Sequence, residues 1–403
     1  MRKIAPLLAL GAFLASSAAA GAADQADRII NGRYQAILGD CVACHTKAGG
    51  QPFAGGEPLQ TPFGTLVPPN ITPDRETGIG NWSKDDFIRM MKTGIGHDGT
   101  RLYPAMPYTA YTKMPEKDIS DLWDYLTTIE PVSNEVVANQ LPFPFNIRLL
   151  MLGWNMLNFT EGAFEPDPNQ SAEWNRGAYI VQGPGHCGTC HSPKSFLGAD
   201  KDGEFLQGAS LQGWYAPNIT GNPHIGIGSW SEEELVQYLK TGTNAHTVAS
   251  GPMTEAIADS TSKMTDADLK AIAVYLKSLS PEAASKPAPV GAADRRMIAG
   301  AAIYHDTCSA CHGMDGKGAR QLFPALAGNA IVQQPSAETL AHLVLAGSQG
   351  VGTAGAPTTP AMPSLAWRLN DQQIADVLTY IRNSWGNAAP PVAPDAIGDV
   401  RGK

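Results

Sequence analysis

Apolar residues recur at helical spacing in three long stretches of this chain, and these stretches are 116–128, 266–279 and 371–385. In the second stretch Leu269, Ile272 and Leu276 lie on one stripe, and Thr265 precedes it as a suitable N-cap. A shorter stretch of the same kind comes before each long one, at 28–38, 176–181 and 297–304. The pattern predicts three pairs of helices and therefore an all-α fold.

The amino terminus has a different pattern. Arg2 and Lys3 are followed by an apolar run of 11 residues, 4–14, and then by small residues up to Ala23. This order is typical of a secretory signal, with cleavage positions near 20–23. The apolar run is well short of the roughly 20 residues that a bilayer span requires, which argues against the alternative of a transmembrane anchor. We predict that residues 1–23 are a signal peptide and that the protein is exported.

The most apolar stretch after the signal is 141–159. Its two prolines, Pro142 and Pro144, and the charge of Arg148 exclude a bilayer span. Three interpretations remain: an interfacial membrane anchor with Trp154 and Arg148 at the headgroups, a docking patch for a partner protein, or burial between the first two helix pairs. Burial is the favoured interpretation because apolar runs in globular chains are most often buried.

Three stretches rich in proline and polar residues lack sustained periodicity and are expected to be linkers or tails: 161–172, 280–293 and 386–403. The prolines of the last stretch argue against a packed helix there. The resulting division is a signal peptide 1–23, a first domain 24–140, an apolar segment and linker 141–172, a second domain 173–279, a linker 280–293, a third domain 294–386 and a flexible tail 387–403.

Charge narrows the range of partners. The chain has 38 acidic and 29 basic residues and a net charge of −9, and losing Arg2 and Lys3 with the signal makes it more acidic. This acidic balance argues against nucleic acid as a partner, because binding to phosphates depends on an excess of basic side chains.

All six cysteines fall into three copies of the motif Cys-x-x-Cys-His, and the copies are Cys41, Cys44, His45; Cys187, Cys190, His191; and Cys308, Cys311, His312. This motif is the attachment signal for c-type haem, in which two thiols form thioethers and the histidine binds the iron. A zinc ribbon would need a second cysteine pair within about 15–20 residues, whereas these motifs lie 146 and 121 residues apart. The sequence therefore predicts three covalently bound haem c groups.

Two parts of the chain resemble each other at an offset of 148 residues. The first copy contains Asn70-Ile-Thr, Gly78-Ile-Gly-Asn-Trp-Ser and Lys92-Thr-Gly, and the second contains the equivalent segments from Asn218, Gly226 and Lys240. The offset nearly equals the 146 residues between the first two cysteine motifs. The first two domains are thus predicted to be a duplicated unit, and the third motif lies in a shorter, more divergent copy.

A second iron ligand should recur at a similar distance from each motif. Met106, Met253 and Met362 lie 65, 66 and 54 residues after the first cysteine of their motifs. The first and third are both in Pro-Ala-Met-Pro tetrapeptides, and a proline precedes the second, which suits a stiff loop. We predict that these methionines bind the irons, where a methionine raises the reduction potential.

Ligation by two histidines is the alternative, with His97 in the first copy and His246 in the second. The third copy has no histidine at the equivalent place, since His342 lies on a predicted helix 20 residues before Met362. Four other methionines are expected to fill the core: Met90, Met91, Met114 and Met264.

At this point the chain resembles the triheme cytochrome c subunit of the membrane-associated dehydrogenases of acetic acid bacteria and their relatives. The resemblance rests on the three cysteine motifs, the duplicated segments, Leu102-Tyr-Pro-Ala-Met-Pro-Tyr and Leu141-Pro-Phe-Pro-Phe-Asn-Ile-Arg, and it spans nearly the whole chain after the signal. It implies three tandem class-I-like cytochrome c domains. It also implies that the carbonyls of Pro69, Pro217 and Pro324 orient the three motif histidines.

In that family a large quinoprotein or flavoprotein subunit oxidises an alcohol, aldehyde, gluconate or another polyol, and some relatives serve molybdenum hydroxylases instead. The cytochrome subunit passes the electrons to ubiquinone at the periplasmic face of the cytoplasmic membrane. The resemblance implies the same role here, and the chain shows no residue pattern typical of an active site for an organic substrate. A stand-alone haem enzyme of the peroxidase type and a free periplasmic electron shuttle are the alternatives.

Overall fold

The computed structural model describes residues 7–201, 203–280, 286–319 and 322–402, with side chains from residue 23 onward. Contacts between Cα atoms divide the chain into two compact units. The first comprises Met1–Leu59, Thr65–Leu152 and Glu161–Ala163, and the second comprises Gln60–Gly64, Gly153–Thr160 and Phe164–Lys403. Residues 1–6 of the predicted signal, 281–285 of the second linker and the last residue of the tail lie outside the described residues.

Helices dominate the described residues. The amino-terminal part contains α1 Leu7–Leu38, α2 Cys41–His45, β1 Leu59–Thr61, β2 Gly64–Leu66, α3 Lys84–Thr93, α4 Tyr108–Tyr111, α5 Glu116–Leu126 and α6 Leu150–Asn158. The middle part contains α7 Ala172–Gln182, α8 Gly188–His191, β3 Ala209–Leu211, β4 Trp214–Ala216, α9 Glu232–Thr241, α10 Pro252–Asp259, a 3₁₀ turn Thr261–Lys263 and α11 Asp266–Ser278.

The carboxy-terminal part contains α12 Arg295–Ile303, a π-helical turn Tyr304–Cys308, α13 Ser309–His312, α14 Glu338–Ala346, β5 Ser348–Gln349, β6 Ala361–Met362, α15 Asp371–Ile381 and α16 Pro394–Arg401. The strands have two or three residues each and pair as β1–β2, β3–β4 and β5–β6. A mostly helical fold is therefore confirmed, and each of the six predicted helical stretches contains or lies in a helix, although α5, α11 and α15 end before the predicted stretches do. The Thr265 cap is confirmed too, because its side chain accepts a hydrogen bond from the Asp268 N–H at 3.2 Å.

Each part contains one opening helix that crosses one closing helix, and the pairs are α1 with α5, α7 with α11, and α12 with α15. A glycine on the opening helix lies at each crossing, and these glycines are Gly32, Gly177 and Gly300. A methyl group on any of them would lie only 1.8–2.2 Å from a carbonyl oxygen of the closing helix. Only glycine permits backbones to approach this closely. The helix periodicity predicted the pairs but not these crossing residues.

The duplicated segments begin and end their helices in the same way. Ser83 and Ser231 each accept a hydrogen bond from the backbone N–H three residues later, and the carboxylate at that third position accepts from the serine N–H. These reciprocal bonds are capping boxes that start α3 and α9. Gly94 and Gly242 end the two helices with φ angles of 68° and 76°, in the left-handed region that favours glycine.

Within the second unit, the middle and carboxy-terminal parts are joined by side chains that bond to backbone. The Gln334 amide donates to the Ile225 carbonyl at 2.5 Å. The Thr339 hydroxyl donates to the Tyr215 carbonyl and accepts from the Tyr215 N–H, both at 3.0 Å. The Thr339 bonds pair the backbone groups of Tyr215 at the edge of strand β4 with a side chain of α14. Together with the Gln334 bond they help to join the two parts into one unit.

The expectation of a flexible tail is wrong for residues 387–402. Helix α16 packs against α14 and α15, and its Ile397 and Val400 are 0% and 7% exposed. Pro394 does not disrupt it, because proline lies in the first turn, where no N–H is needed. The Arg401 guanidinium further ties α16 to the Asp371 carboxylate at 2.7 Å.

Replacing Gly177 with alanine should destabilise the protein by about 3 kcal/mol, because the added methyl group would force α7 and α11 apart. The matched control is Gly162→Ala, where nothing lies within 4 Å of the added carbon; it should change stability by less than about 0.5 kcal/mol. Denaturant unfolding followed by circular dichroism measures both. Equal midpoints for the two variants would contradict the close crossing.

Candidate haem-binding sites

Each motif histidine is the last residue of a short helical turn, and the turns are α2, α8 and α13. In every case the ring Nδ1 lies within hydrogen-bonding distance of a proline carbonyl, and the pairs are His45 with Pro69 at 2.7 Å, His191 with Pro217 at 2.7 Å and His312 with Pro324 at 3.1 Å. The three predicted proline partners are therefore confirmed. Because a carbonyl only accepts, Nδ1 must carry the proton, and Nε2 is the nitrogen left to bind a metal.

The surroundings of these histidines favour the neutral ring. Burial lowers the pKa of His45, His191 and His312, and the hydrogen bond to the proline carbonyl opposes this only in part. Neutral imidazole is the form that binds a metal. The chemistry of the donor set therefore fits an iron ligand at each of the three positions.

The cysteines of the motifs lie on the same turns as the histidines or directly before them. All six are thiols that form no disulfide in the structure. Burial raises the pKa of Cys41 and Cys187 to about 12 and that of Cys308 to about 11, so the first thiol of each pair stays protonated at neutral pH. Each turn thus offers two sulfurs and one oriented imidazole, which is the set that a covalent haem c requires.

The seven methionines that were given a predicted role fall into two groups. Met106, Met253 and Met362 are half-buried, whereas the four methionines expected to fill the core are only 1–7% exposed, and these are Met90, Met91, Met114 and Met264. Core filling by those four is confirmed. In the carboxy-terminal part Met362 and Cys308 both pack against the same apolar core.

The two histidines of the alternative ligand set have other contacts. The His97 ring lies edge-on to Trp82 at 5.0 Å between centroids, and the His246 ring stacks on Trp230 at 5.2 Å. His246 Nε2 also lies 3.0 Å from a carboxylate oxygen of Glu234. The two tryptophans occupy equivalent positions in the duplicated segments. These contacts favour a packing role for both histidines over iron ligation.

The loop that carries Met106 is braced from one side. The Arg148 guanidinium lies 4.7 Å from the centre of the Tyr103 ring and donates to the Arg101 carbonyl at 2.9 Å. The Tyr103 hydroxyl in turn donates to the Phe145 carbonyl at 2.8 Å. Residues 145–148 therefore hold the loop in place. The interpretation as a membrane anchor would place Arg148 at lipid headgroups, but its guanidinium binds this loop instead.

Met253 lies in the first turn of α10 and not in the loop that was predicted, and the chain just before it packs on an aromatic residue that the sequence did not single out. Gly251 has a φ of 56°, and a Cβ there would lie 2.6 Å from the Trp214 ring. Trp214 also stacks on the His342 ring of α14, with 4.6 Å between centroids and 14° between planes. His342 lies on a helix, as predicted, and supports the start of α10 from the carboxy-terminal part.

The favoured burial of the 141–159 segment is wrong for most of its apolar residues. Four of them are 73–80% exposed, namely Phe143, Leu149, Met156 and Leu157. Trp154 is the exception, since it is 8% exposed and its indole N–H donates to the Leu197 carbonyl at 2.9 Å. It therefore does not reach lipid headgroups. Among the residues that the structure describes, no helix is long and apolar enough to cross a bilayer.

Helix pairs that bracket a Cys-x-x-Cys-His turn, with the histidine held by a proline carbonyl, define the class of c-type cytochromes. Comparison with known families agrees with the geometry. The chain matches the Cytochrome c family over residues 31–130, 175–280 and 297–385, and it belongs to that family.

Several curated proteins are similar over most of their length. The gluconate 2-dehydrogenase cytochrome c subunit of Pantoea cypripedii is 42% identical over 93% of this chain and 89% of its own length. The fructose dehydrogenase cytochrome subunit of Gluconobacter japonicus is 39% identical, with 93% and 82% covered. The cytochrome c subunit of alcohol dehydrogenase (quinone) from Gluconobacter oxydans (strain 621H) is 37% identical, with 95% and 84% covered. These relatives are cytochrome subunits of dehydrogenases.

Replacing Arg148 with alanine should loosen the loop that carries Met106. The loss of one cation–π contact and one hydrogen bond, together about 1.4 kcal/mol, should speed exchange of the Met106 amide about tenfold. Hydrogen exchange with mass spectrometry measures this. Arg89→Ala is the control, because Arg89 binds Asp86 and the Gly96 carbonyl instead. Equal exchange of the Met106 amide in both variants would contradict the brace.

Proposed function

We propose that this chain is a triheme c-type cytochrome, an electron-transfer subunit that takes electrons from a dehydrogenase and delivers them to ubiquinone. The observation that carries the proposal is the repetition, in all three regions that match the family, of a Cys-x-x-Cys-His turn whose histidine donates to a proline carbonyl. When bound, each haem supplies an iron that takes up and releases one electron. The chain then consists of three tandem class-I-like domains, the first two of them a duplication.

The residues have distinct roles in this proposal. The thioether residues are Cys41, Cys44, Cys187, Cys190, Cys308 and Cys311, the proximal ligands are His45, His191 and His312, and the distal ligands are Met106, Met253 and Met362. The proline carbonyls fix the histidine rings, and the methionine sulfurs are presented by a braced loop for Met106, by the first turn of α10 for Met253 and by strand β6 for Met362. Methionine ligation raises the reduction potential.

A set of closed coordination sites favours electron transfer over chemistry on a substrate. A peroxidase-type enzyme needs at least one open position on an iron, whereas a histidine and a methionine on each iron leave none. The packing of His97 and His246 against tryptophans supports this assignment, because it leaves methionine as the distal ligand in both copies.

The relatives support a partner of one kind. They are cytochrome subunits of gluconate, fructose and alcohol dehydrogenases. We therefore expect the electron donor to be the large subunit of a quinoprotein or flavoprotein dehydrogenase. The predicted signal peptide supports export, and we expect the complex at the periplasmic face of the cytoplasmic membrane, with ubiquinone as the lipid-soluble acceptor.

The test is purification of the protein from detergent-solubilised membranes, with haem counted per chain and co-purifying subunits identified by mass spectrometry. We expect three haems and a dehydrogenase large subunit. The double variant Cys187→Ala and Cys190→Ala should lower the count from three to two without loss of the other haems. A wild-type protein with fewer than three haems, or one that purifies alone, would contradict the proposal.

The distal ligand of the second haem is testable with three variants. Met253→Leu should abolish about a third of the weak red charge-transfer absorption of methionine-ligated ferric haem and lower one of the three potentials. Met264→Leu, a buried methionine 3% exposed, should leave both unchanged. His246→Gln should also leave them unchanged. If His246→Gln alters one haem spectrum while Met253→Leu does not, histidine is the ligand instead.

A further inference from the structure

Within the second unit, the carboxy-terminal part contacts the chain next to both proposed iron ligands of the second haem. Gln334 bonds to the residue that follows Pro217, whose carbonyl binds the His191 ring. His342 supports the start of α10, where Met253 lies. We propose that the carboxy-terminal part completes the second haem site, with Gln334 and His342 as positioning residues. This inference rests on the proposed function, because it concerns the two ligands of that haem.

On the side of His191, the Gln334 amide bonds to two backbone groups of the middle part. Its Oε1 accepts from the Asn218 N–H at 3.4 Å, and its Nε2 donates to the Ile225 carbonyl at 2.5 Å. Asn218 directly follows Pro217, whose carbonyl lies 2.7 Å from His191 Nδ1. Gln334 and Asn218 are both 1% exposed, so solvent does not compete with these bonds. Removing the amide would therefore loosen the segment that orients the histidine ring.

Gln334 is itself held in place by a buried cation. The Arg382 guanidinium is 1% exposed and donates to the Gln334 carbonyl at 2.8 Å. It also donates to the carbonyls of Ser336 and Pro390, both at 3.2 Å. Burial lowers the pKa of Arg382 to about 10, so the side chain is still charged at neutral pH and its hydrogen bonds are charge-assisted.

The duplicated segment of the first copy is held differently. Asn70, the equivalent of Asn218, donates to the Thr77 hydroxyl at 2.9 Å and to the Val132 carbonyl at 2.7 Å. At the offset of 148 residues, Thr77 is replaced by Ile225, which has no side-chain acceptor. The Asn218 amide nitrogen is buried and has no hydrogen-bond partner among the described residues. The first copy thus holds this segment with its own residues, whereas the second uses the carboxy-terminal part.

On the side of Met253, the support comes from α14. The His342 ring stacks on the Trp214 ring, and the same Trp214 ring lies against Gly251, two residues before Met253. Thr339, three residues earlier on α14, binds the backbone of β4 directly beside Trp214. His342 Nε2 is buried and has no hydrogen-bond partner in the part of the chain that the structure describes, so the ring acts here through its face. A phenylalanine would provide the same stack, and an alanine would not.

The two positioning residues should change the reduction potential of the second haem in opposite directions. A hydrogen bond from Nδ1 to a carbonyl makes a ligating histidine more basic, which favours ferric iron. Loosening the Pro217 segment should therefore raise the potential. Methionine ligation raises the potential, so loosening the start of α10 should lower it.

The test is a potentiometric titration of the purified holoprotein, followed by its absorption spectrum. The second haem is identified as the one missing from the double variant Cys187→Ala and Cys190→Ala. Gln334→Leu keeps the volume and removes both bonds, and it should shift the reduction equilibrium of that haem about tenfold toward the reduced form, which is about 59 mV upward. His342→Ala should shift it about tenfold the other way, and His342→Phe should restore the value of the parent.

The matched control is Gln333→Leu, the same change at the neighbouring residue. Gln333 is 6% exposed and also joins the two parts, because its amide donates to the His224 carbonyl at 3.1 Å and accepts from the Ala388 N–H at 3.3 Å. It should lower the free energy of unfolding about as much as Gln334→Leu and leave all three potentials unchanged. Every variant except the double cysteine variant should keep three haems.

Two outcomes would overturn the inference. One is a second haem whose potential is the same in the parent, Gln334→Leu and His342→Ala. The other is an equal shift in Gln333→Leu and Gln334→Leu, which would mean that general loosening changes the potential. With three haems in the parent, either outcome leaves the proposed function intact. A parent with fewer than three haems would instead contradict the proposed function itself.

Discussion

The hydrogen bond from a histidine Nδ1 to a proline carbonyl is the constraint on which the sites depend. It fixes the tautomer and the direction of the ring, so that Nε2 is presented beside two thiols on a single helical turn. The bond recurs three times, at 2.7, 2.7 and 3.1 Å, although the proline follows the histidine by 24, 26 and 12 residues. The geometry at the metal ligand is thus kept while the intervening loop changes in length.

The helix crossings provide the frame for these turns. Gly32, Gly177 and Gly300 let each opening helix lie directly on the backbone of its closing helix, and the motif follows soon after the opening helix. The segments that carry the first two methionines are held by different means. Arg148 and Tyr103 brace the loop with Met106, whereas Trp214, stacked on His342, supports the start of α10, which carries Met253. The three candidate sites therefore share one frame, and the surroundings of the first two differ.

Much of this could be predicted from the sequence because the signals were local. The helix periodicity, the Thr265 cap, the motif histidines and the core methionines each depend on residues close together in the chain. The tail was predicted wrongly because its prolines were taken as helix breakers whatever their position. Pro394 lies in the first turn of α16, where proline is tolerated. Whether the 141–159 segment is buried or exposed depends on residues distant in sequence, and so do the contacts of Arg148 and Trp214. Such contacts become visible only in the folded structure.

We propose that the chain holds three closed, one-electron carriers. The sharpest test is anaerobic reductive titration of the purified holoprotein, followed by addition of carbon monoxide. We expect three electron equivalents per chain and a reduced spectrum that carbon monoxide does not change. Uptake of fewer than three electrons, or a carbon monoxide shift equivalent to one haem per chain, would contradict it.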